Sequence, residues 1–81
     1  PSEQYERAEL MRVLAEGIRT MPSMERTVIS LYFQEELTLR EIARMVDLHE
    51  SRVSQLKSQG ILRLRAYLSR RWDSKAKGAT A

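Results

Sequence analysis

The 81-residue chain has no cysteine, one histidine, two prolines, three glycines and five aromatic residues. Without cysteine it can build neither a disulfide framework nor a thiolate metal cluster, and a single imidazole cannot assemble a metal site from histidines. No apolar run approaches the roughly 20 residues that span a membrane, and the N-terminus lacks the pattern of a secretory signal. These absences predict a cytoplasmic protein without a metal, a cofactor or a membrane contact.

The length of the chain limits what it can do. One domain of this size buries about 60–65% of the surface that its unfolded chain exposes, which leaves little room for an active-site cavity. The sequence shows no nucleophile beside a base and no cluster of ligands, so we expect no enzyme. The chain begins at Pro1 rather than at methionine. We therefore expect a piece of a longer protein.

Charge is distributed unevenly along the chain. Residues 1–50 carry six basic and ten acidic side chains, a net charge of −4, whereas residues 51–81 carry eight basic and one acidic side chain, a net charge of +7. This polarity favours phosphate binding by the second segment. A solvated basic tail is the alternative explanation.

Helical spacing of apolar residues predicts four helices and no strand. Ser2 is predicted to cap the first helix, with Glu3 in its first turn. The helix is predicted to end near Thr20 or Met21, because Pro22 excludes the preceding residue from the helical region. Ser23 is predicted to cap the second helix. The predicted inward faces are Ala8, Met11, Leu14, Ala15 and Ile18 in the first helix, Met24, Val28, Leu31 and Tyr32 in the second, and Leu39, Ile42, Ala43 and Val46 in the third.

The fold class that follows is all-α, a compact four-helix domain over residues 1–72 that contains a C-terminal helix-turn-helix. The last helix is expected to run from about Glu50 to Arg70. Trp72 is expected to anchor the end of the domain. Residues 73–81, rich in lysine, alanine and glycine, are expected to form a disordered basic tail.

Residues 38–59 have the spacing of a helix-turn-helix. Thr38 begins a capping box, which marks the start of the third helix. Ala43 lies mid-way along that helix, Asp47 follows it in the turn, and Val53 lies six residues further on. Two crossed helices need this spacing in order to pack closely. The segment therefore predicts a binder of the DNA major groove.

The last helix has two contrasting faces at 100° per residue. Its predicted apolar face consists of Val53, Leu56, Gly60, Leu64 and Tyr67, with Ile61 and Leu68 at the border. The opposite face consists of Ser51, Ser54, Gln55 and Ser58. These four side chains are short or uncharged and can meet base edges in the major groove. A merely soluble helix face is the alternative.

Individual side chains fit particular DNA groups. Gln55 suits a two-point contact with adenine, Arg52 suits guanine or a phosphate, and Glu50 can accept from the amino group of cytosine. The predicted base-reading residues are Glu50, Ser51, Arg52, Ser54 and Gln55. The predicted phosphate contacts are Arg40, Lys57, Ser58, Arg63 and Arg65.

Four further residues are candidates for a groove that takes a partner helix: Tyr32, Phe33, Leu37 and Leu62. Core packing explains most of them more simply.

Four strings of residues resemble, in order, region 4 of a bacterial RNA polymerase sigma factor. They are Met21-Pro22 with Glu25 to Phe33, Leu37 to Ala43, Glu50 to Leu56, and Leu62 to Arg65. The string Ser51-Arg52-Val53-Ser54-Gln55 is similar to the flagellar and sporulation type of these factors. The resemblance covers Met21 to about Leu68.

The resemblance implies that the helix-turn-helix binds the −35 element of promoters, so that polymerase initiates transcription there. It also implies that another surface holds the flap of the polymerase β subunit, and that a preceding part of the protein binds core enzyme and opens the −10 element. An anti-sigma factor is a further expected partner. Asp47 departs from the glycine that is usual in the turn, and His49 from the serine or threonine that usually caps the reading helix.

Two other classes of protein remain open. The first is the helix-turn-helix output domain of a response regulator or repressor, which needs a dimerising surface and palindromic sites. The second is an interaction module whose main partner is an anti-sigma protein.

Overall fold

The computed structural model describes the backbone of residues 2–80 and the side chains of residues 3–71. This part of the chain forms four α-helices and no strand, so the predicted all-α fold is confirmed. The long fourth helix packs against each of the other three. None of the described helices combines the length and apolar character needed to cross a bilayer. The helices are α1 (Ser2–Thr20), α2 (Ser23–Phe33), α3 (Leu39–Val46) and α4 (Glu50–Thr80).

α1 and α2 are joined at Pro22, but the predicted cap by Ser23 does not form. α1 ends at Thr20 as expected. Pro22 occupies the N-cap position with φ −54° and ψ 144°, and no side chain caps the helix. Its carbonyl accepts a hydrogen bond from the backbone N–H of Arg26 at 3.0 Å. The prediction that Ser23 caps α2 is therefore wrong, because the extended proline already starts the helix one residue earlier.

The inward face of α1 also differs from the prediction. Val13 and Gly17 are buried, whereas Met11 is 61% exposed, and Ala8 and Ala15 are exposed as well. The glycine explains the difference, because it lets α1 lie close against α4 and turns that side of the helix inward.

The core lies where α2, α3 and α4 meet. Val28, Ile42 and Val53 are completely buried, and Ala43 and Leu56 complete the cluster. Burying one aliphatic side chain of this size contributes about 1.5–3 kcal/mol. The partly buried residues around the cluster are Leu31, Tyr32, Leu37, Leu39, Val46 and Leu48. The predicted inward faces of α3 and α4 are confirmed, since their residues are buried or half-buried.

Two glycines allow α4 to approach its neighbours closely. A Cβ atom on Gly60 would lie 2.8 Å from Cγ1 of Ile29 and 2.9 Å from Cε of Met21. A Cβ atom on Gly17 would lie 2.9 Å from Cδ1 of Tyr67. Such separations are too short for packed carbon atoms, so the α2–α4 and α1–α4 contacts both depend on a missing side chain.

The fourth helix is longer than predicted. Its backbone continues to Thr80, so the predicted end near Arg70 is wrong. The side chains of residues 72–81 lie outside the described part of the chain. The anchoring role of Trp72 stays a prediction, whereas the disorder expected from residue 73 onward does not fit a backbone that is helical to Thr80.

Replacing Gly60 with alanine is expected to lower the free energy of unfolding by about 1–3 kcal/mol, because the new methyl group overpacks the contact with Ile29. Alanine is otherwise the better helix former, so destabilisation would come from crowding alone. Thermal denaturation followed by circular dichroism measures the effect. Gln59→Ala, at the exposed neighbouring position, is the matched control and should change the stability little. Equal melting temperatures for the two variants would contradict close packing at Gly60.

Candidate nucleic-acid interface

The helix-turn-helix begins with the predicted capping box. The backbone N–H of Glu41 donates to Oγ1 of Thr38 at 3.1 Å, and the backbone N–H of Thr38 donates to Oε1 of Glu41 at 2.9 Å. The bond from the Thr38 backbone lowers the pKa of the Glu41 carboxyl below its usual value, since it favours the ionised form. The two bonds satisfy donors that would otherwise be orphaned, and they set where α3 starts.

The turn closes through a residue in the left-handed region. Asp47 has φ 57° and ψ 49°, and its N–H donates to the carbonyl of Ala43. The N–H of Leu48 donates to the same carbonyl at 3.0 Å. Aspartate tolerates this backbone conformation better than most residues, so the turn forms without glycine. Glu36 also has a positive φ of 56° in the link between α2 and α3, which the sequence does not signal.

The carbonyl of His49 accepts the first backbone hydrogen bonds of α4. That oxygen accepts from the backbone N–H groups of Arg52 and Val53, both at 3.0 Å. The backbone of His49 therefore opens α4 directly after the turn. The free N–H groups of a first helical turn carry partial positive charge, which favours an approaching phosphate.

The orientation of α4 about its own axis places polar side chains on the side that faces away from the core. Val53 is completely buried and Leu56 is 4% exposed. The opposite side consequently faces solvent, where Ser54 alone is half-buried and the remaining predicted readers are exposed. The exposed readers are Glu50, Ser51, Arg52 and Gln55. The predicted phosphate contact Ser58 is exposed beside them.

An open groove of about 520 Å³ lies where α3 meets the start of α4. Two arginines of α3, Arg40 and Arg44, line the groove one helical turn apart. His49, directly before α4, and Glu50, its first residue, line the other side. Both arginines are exposed. The sequence prediction included Arg40 and missed Arg44, although an i, i+4 pair of arginines on the first helix of the motif is a usable signal.

Lys57 is held against an aromatic ring. Its Nζ lies 4.4 Å from the centroid of the Tyr32 ring, and the side chain is half-buried. The Phe33 ring contacts Tyr32 edge-on, with ring centroids 4.9 Å apart. A cation in this position is attracted to the face of the ring. The structure therefore joins one predicted phosphate contact to two residues of the predicted partner surface.

Arg63 has an intramolecular partner. Its Nε donates to Oε1 of Glu25 at 2.7 Å, and this carboxylate on α2 has a side chain only 5% exposed. A buried carboxylate needs such a partner, because leaving it unpaired is costly. Arg63 also lies about 20 Å along α4 from Glu50, at 1.5 Å per residue. A phosphate contact by Arg63, or by the exposed Arg65, stays a prediction.

The predicted partner surface is only partly brought together. Phe33 is 55% exposed next to Tyr32, and Leu37 is half-buried against the core. Leu62 is 64% exposed on α4. It follows Lys57 by five residues, which places it about 140° away around the helix. Leu62 therefore lies on a different face from the lysine that covers Tyr32.

Comparison with known proteins agrees with this geometry. Residues 17–66 match the model of the family described as sigma-70, region 4. The chain belongs to the sigma-70 region 4 family. The resemblance noted from the sequence is confirmed, and the matched residues include α3, the first part of α4 and the two glycines Gly17 and Gly60.

Similar proteins are named as RNA polymerase sigma factors. The chain is 46% identical over 70 residues to RNA polymerase sigma factor FliA of Escherichia coli K12, covering 86% of this chain and 29% of the relative. It is 52% identical over 56 residues to FliA of Pseudomonas aeruginosa, covering 69% and 23%. It is 39% identical over 70 residues to RNA polymerase sigma-D factor of Bacillus subtilis, covering 86% and 28%. The chain thus spans less than a third of each of these relatives. No solved structure matched.

Removing the partner of the buried carboxylate in this region 4 chain should destabilise it. Arg63→Met keeps the aliphatic stem but leaves Glu25 without its cation, and we expect a loss of about 1–3 kcal/mol in the free energy of unfolding. Arg65→Met is the matched control at an exposed position, where about 0.5 kcal/mol or less is expected. Urea denaturation of both variants measures the difference. A loss of the same size in both would argue against a stabilising role for the ion pair.

The capping box should make α3 sensitive to acid. Because the folded-state pKa of Glu41 is lowered, its contribution to stability is present above the ordinary carboxyl pKa and is lost as the pH falls through the folded value. Thermal denaturation between about pH 2 and about pH 6 should show a smaller acid-induced loss for Glu41→Gln than for the unaltered chain. Glu3→Gln, an exposed position near the start of α1, serves as the control. Identical pH dependence in the Glu41 variant and the unaltered chain would refute this role.

Proposed function

We propose that this chain recognises the −35 element of promoters as part of an alternative sigma factor of the flagellar type. The observation that carries the proposal is the exposed polar face at the start of α4, which has the buried Val53 and Leu56 behind it. A helix presented in this way can enter the major groove and place its first two turns against base edges. The similarity to FliA supports the flagellar type.

Base reading is assigned to the first half of α4. Ser51, Ser54 and Gln55 offer short hydroxyl and amide groups, Arg52 offers donors for guanine, and Glu50 offers an acceptor for cytosine. Phosphate contacts are assigned to the cations around them, where they set the position of the domain on the duplex without reading sequence. These cations are Arg40, Arg44 and Lys57, and Ser58 adds a hydroxyl donor.

The protein partner in this proposal is RNA polymerase. The relatives named above are RNA polymerase sigma factors, and the chain would bring polymerase to the promoter through a second surface. We assign the contact with the β flap to the rings of Tyr32 and Phe33 and the neighbouring Leu37. An anti-sigma factor that covers the same surface stays a prediction. Bacterial transcription takes place in the cytoplasm, and we place the chain there.

The proposal assigns the chain a binding role and no catalytic one. Directing polymerase to a promoter requires an affinity for one sequence over others, which hydrogen bonds to base edges supply. It requires neither a nucleophile nor a metal. The output domain of a response regulator would share the motif, but the match to sigma-70 region 4 favours the promoter-binding role.

Binding to short duplexes tests the proposal through Gln55. Gln55→Ala should lose about 1–3 kcal/mol on a −35 duplex and little on a scrambled duplex, because a base contact is removed. Lys57→Ala should weaken both duplexes about equally and reduce the salt dependence, since a phosphate contact carries no sequence information. Fluorescence anisotropy at two salt concentrations measures both effects. Gln4→Ala, an exposed glutamine on α1, is the control and should bind as the unaltered chain does. An equal loss on both duplexes in the Gln55 variant would refute base reading.

A further inference from the structure

Two of the base-reading candidates are hydrogen-bonded to each other. Nη1 of Arg52 donates to Oε1 of Gln55 at 3.3 Å. The residues are three positions apart on the first turns of α4, and both side chains are exposed. Side chains at this spacing are neighbours on a helix surface. The contact therefore links the two residues before any DNA is bound.

The contact changes which hydrogen bonds Gln55 has to offer. A glutamine amide carries one acceptor oxygen and an NH₂ group with two donors. The bond from Arg52 takes one of the two lone pairs of the oxygen, whereas both donors of the NH₂ group remain for a base. Arginine has five N–H donors and no acceptor, and it keeps four of them after this bond. Together the two side chains present six donors and one remaining lone pair, which lies beside a cation.

A pair of side chains that presents mainly donors selects among the bases. Guanine offers the acceptors O6 and N7 in the major groove, and thymine offers O4. The two-point contact with adenine needs the glutamine oxygen to accept from the amino group at N6. That amino group would have to approach an oxygen already bound by the guanidinium, which is itself a cation with donors on its edge. The pairing with Arg52 therefore disfavours adenine opposite Gln55.

We propose that Arg52 and Gln55 act as one recognition unit, in which Arg52 orients the Gln55 amide so that both residues donate to guanine or thymine edges on neighbouring base pairs. Arg52 and Gln55 are three residues apart, which separates them by about 4.5 Å along the helix axis. This distance is close to the spacing of about 3.4 Å between base pairs. Two adjacent base pairs are therefore within reach of the unit. The inference rests on the proposed function, and it replaces the two-point adenine contact expected from the sequence.

The test measures base preference rather than affinity alone. A preferred duplex is selected by the chain from a randomised pool, and each base pair of the selected site is then replaced in turn by the other three. Binding is measured for the unaltered chain, for Arg52→Ala, for Gln55→Ala and for the double variant. A fifth variant, Gln55→Glu, keeps an acceptor for Arg52 but has no donor for a base. Melting temperatures check that these exposed substitutions leave the fold intact.

The unit predicts a specific pattern. Guanine or thymine is preferred opposite Gln55 in the unaltered chain, and Arg52→Ala shifts the preference at that position toward adenine because the amide oxygen is freed. Gln55→Glu loses the preference there as fully as Gln55→Ala does. The combined effect of the two alanine substitutions departs from the product of the single effects by at least about threefold.

The outcomes separate this inference from the proposed function. If the unaltered chain selects no sequence from the pool, the proposed function fails and the inference fails with it. If the chain selects a sequence but the two alanine substitutions act independently, or Arg52→Ala leaves the preference opposite Gln55 unchanged, the recognition unit alone is overturned.

Discussion

The orientation of α4 depends on the buried contact that joins it to α2 and α3. Val53 is completely enclosed by the same cluster that holds Val28 and Ile42. One residue of rotation turns a helix by 100°, so any slip would bring Val53 toward water and carry the exposed Gln55 inward. The apolar burial of a few side chains therefore decides which polar side chains of α4 face solvent. In this domain the buried face and the exposed polar face of α4 follow from one constraint.

The two halves of α4 have different tasks. Its first turns present short polar groups, whereas its middle is packed closely through Gly60 and is tied to α2 by the ion pair between Arg63 and Glu25. Further along, Arg71 lies over the ring of Tyr67, with its Cζ atom 5.1 Å from the ring centroid. Part of the positive charge in residues 51–81 thus has partners within the protein. The excess of basic residues is a poorer guide to phosphate contacts than their position along the helix.

Local signals in the sequence were reliable around the turn of the helix-turn-helix, but not at Ser23, because the extended Pro22 takes the N-cap position of α2. The capping box at Thr38 and the turn at Asp47 both form as predicted, because every atom they need lies within a few residues. The apolar face of α4 was also predictable from its period. A prediction that depended on a distant contact did less well, since the inward face of α1 follows from its packing against α4 at Gly17. Arg44 was not among the predicted phosphate contacts, and only the groove between α3 and the start of α4 places it beside Arg40 and His49.

The sequence by itself determined the helix boundaries around the turn, the two-faced character of the reading helix and the family, since these are properties of residue order and spacing. The tertiary structure alone decided which cations have partners elsewhere in the chain and which face of α4 is exposed. Glu25 lies 38 positions from Arg63 along the chain, so their pairing exists only once α2 and α4 pack together. The bond between Arg52 and Gln55 is local, yet its outward direction depends on the burial of Val53 and Leu56. Helical periodicity specifies relative angles on a helix, whereas the direction of each face is set by what the helix packs against.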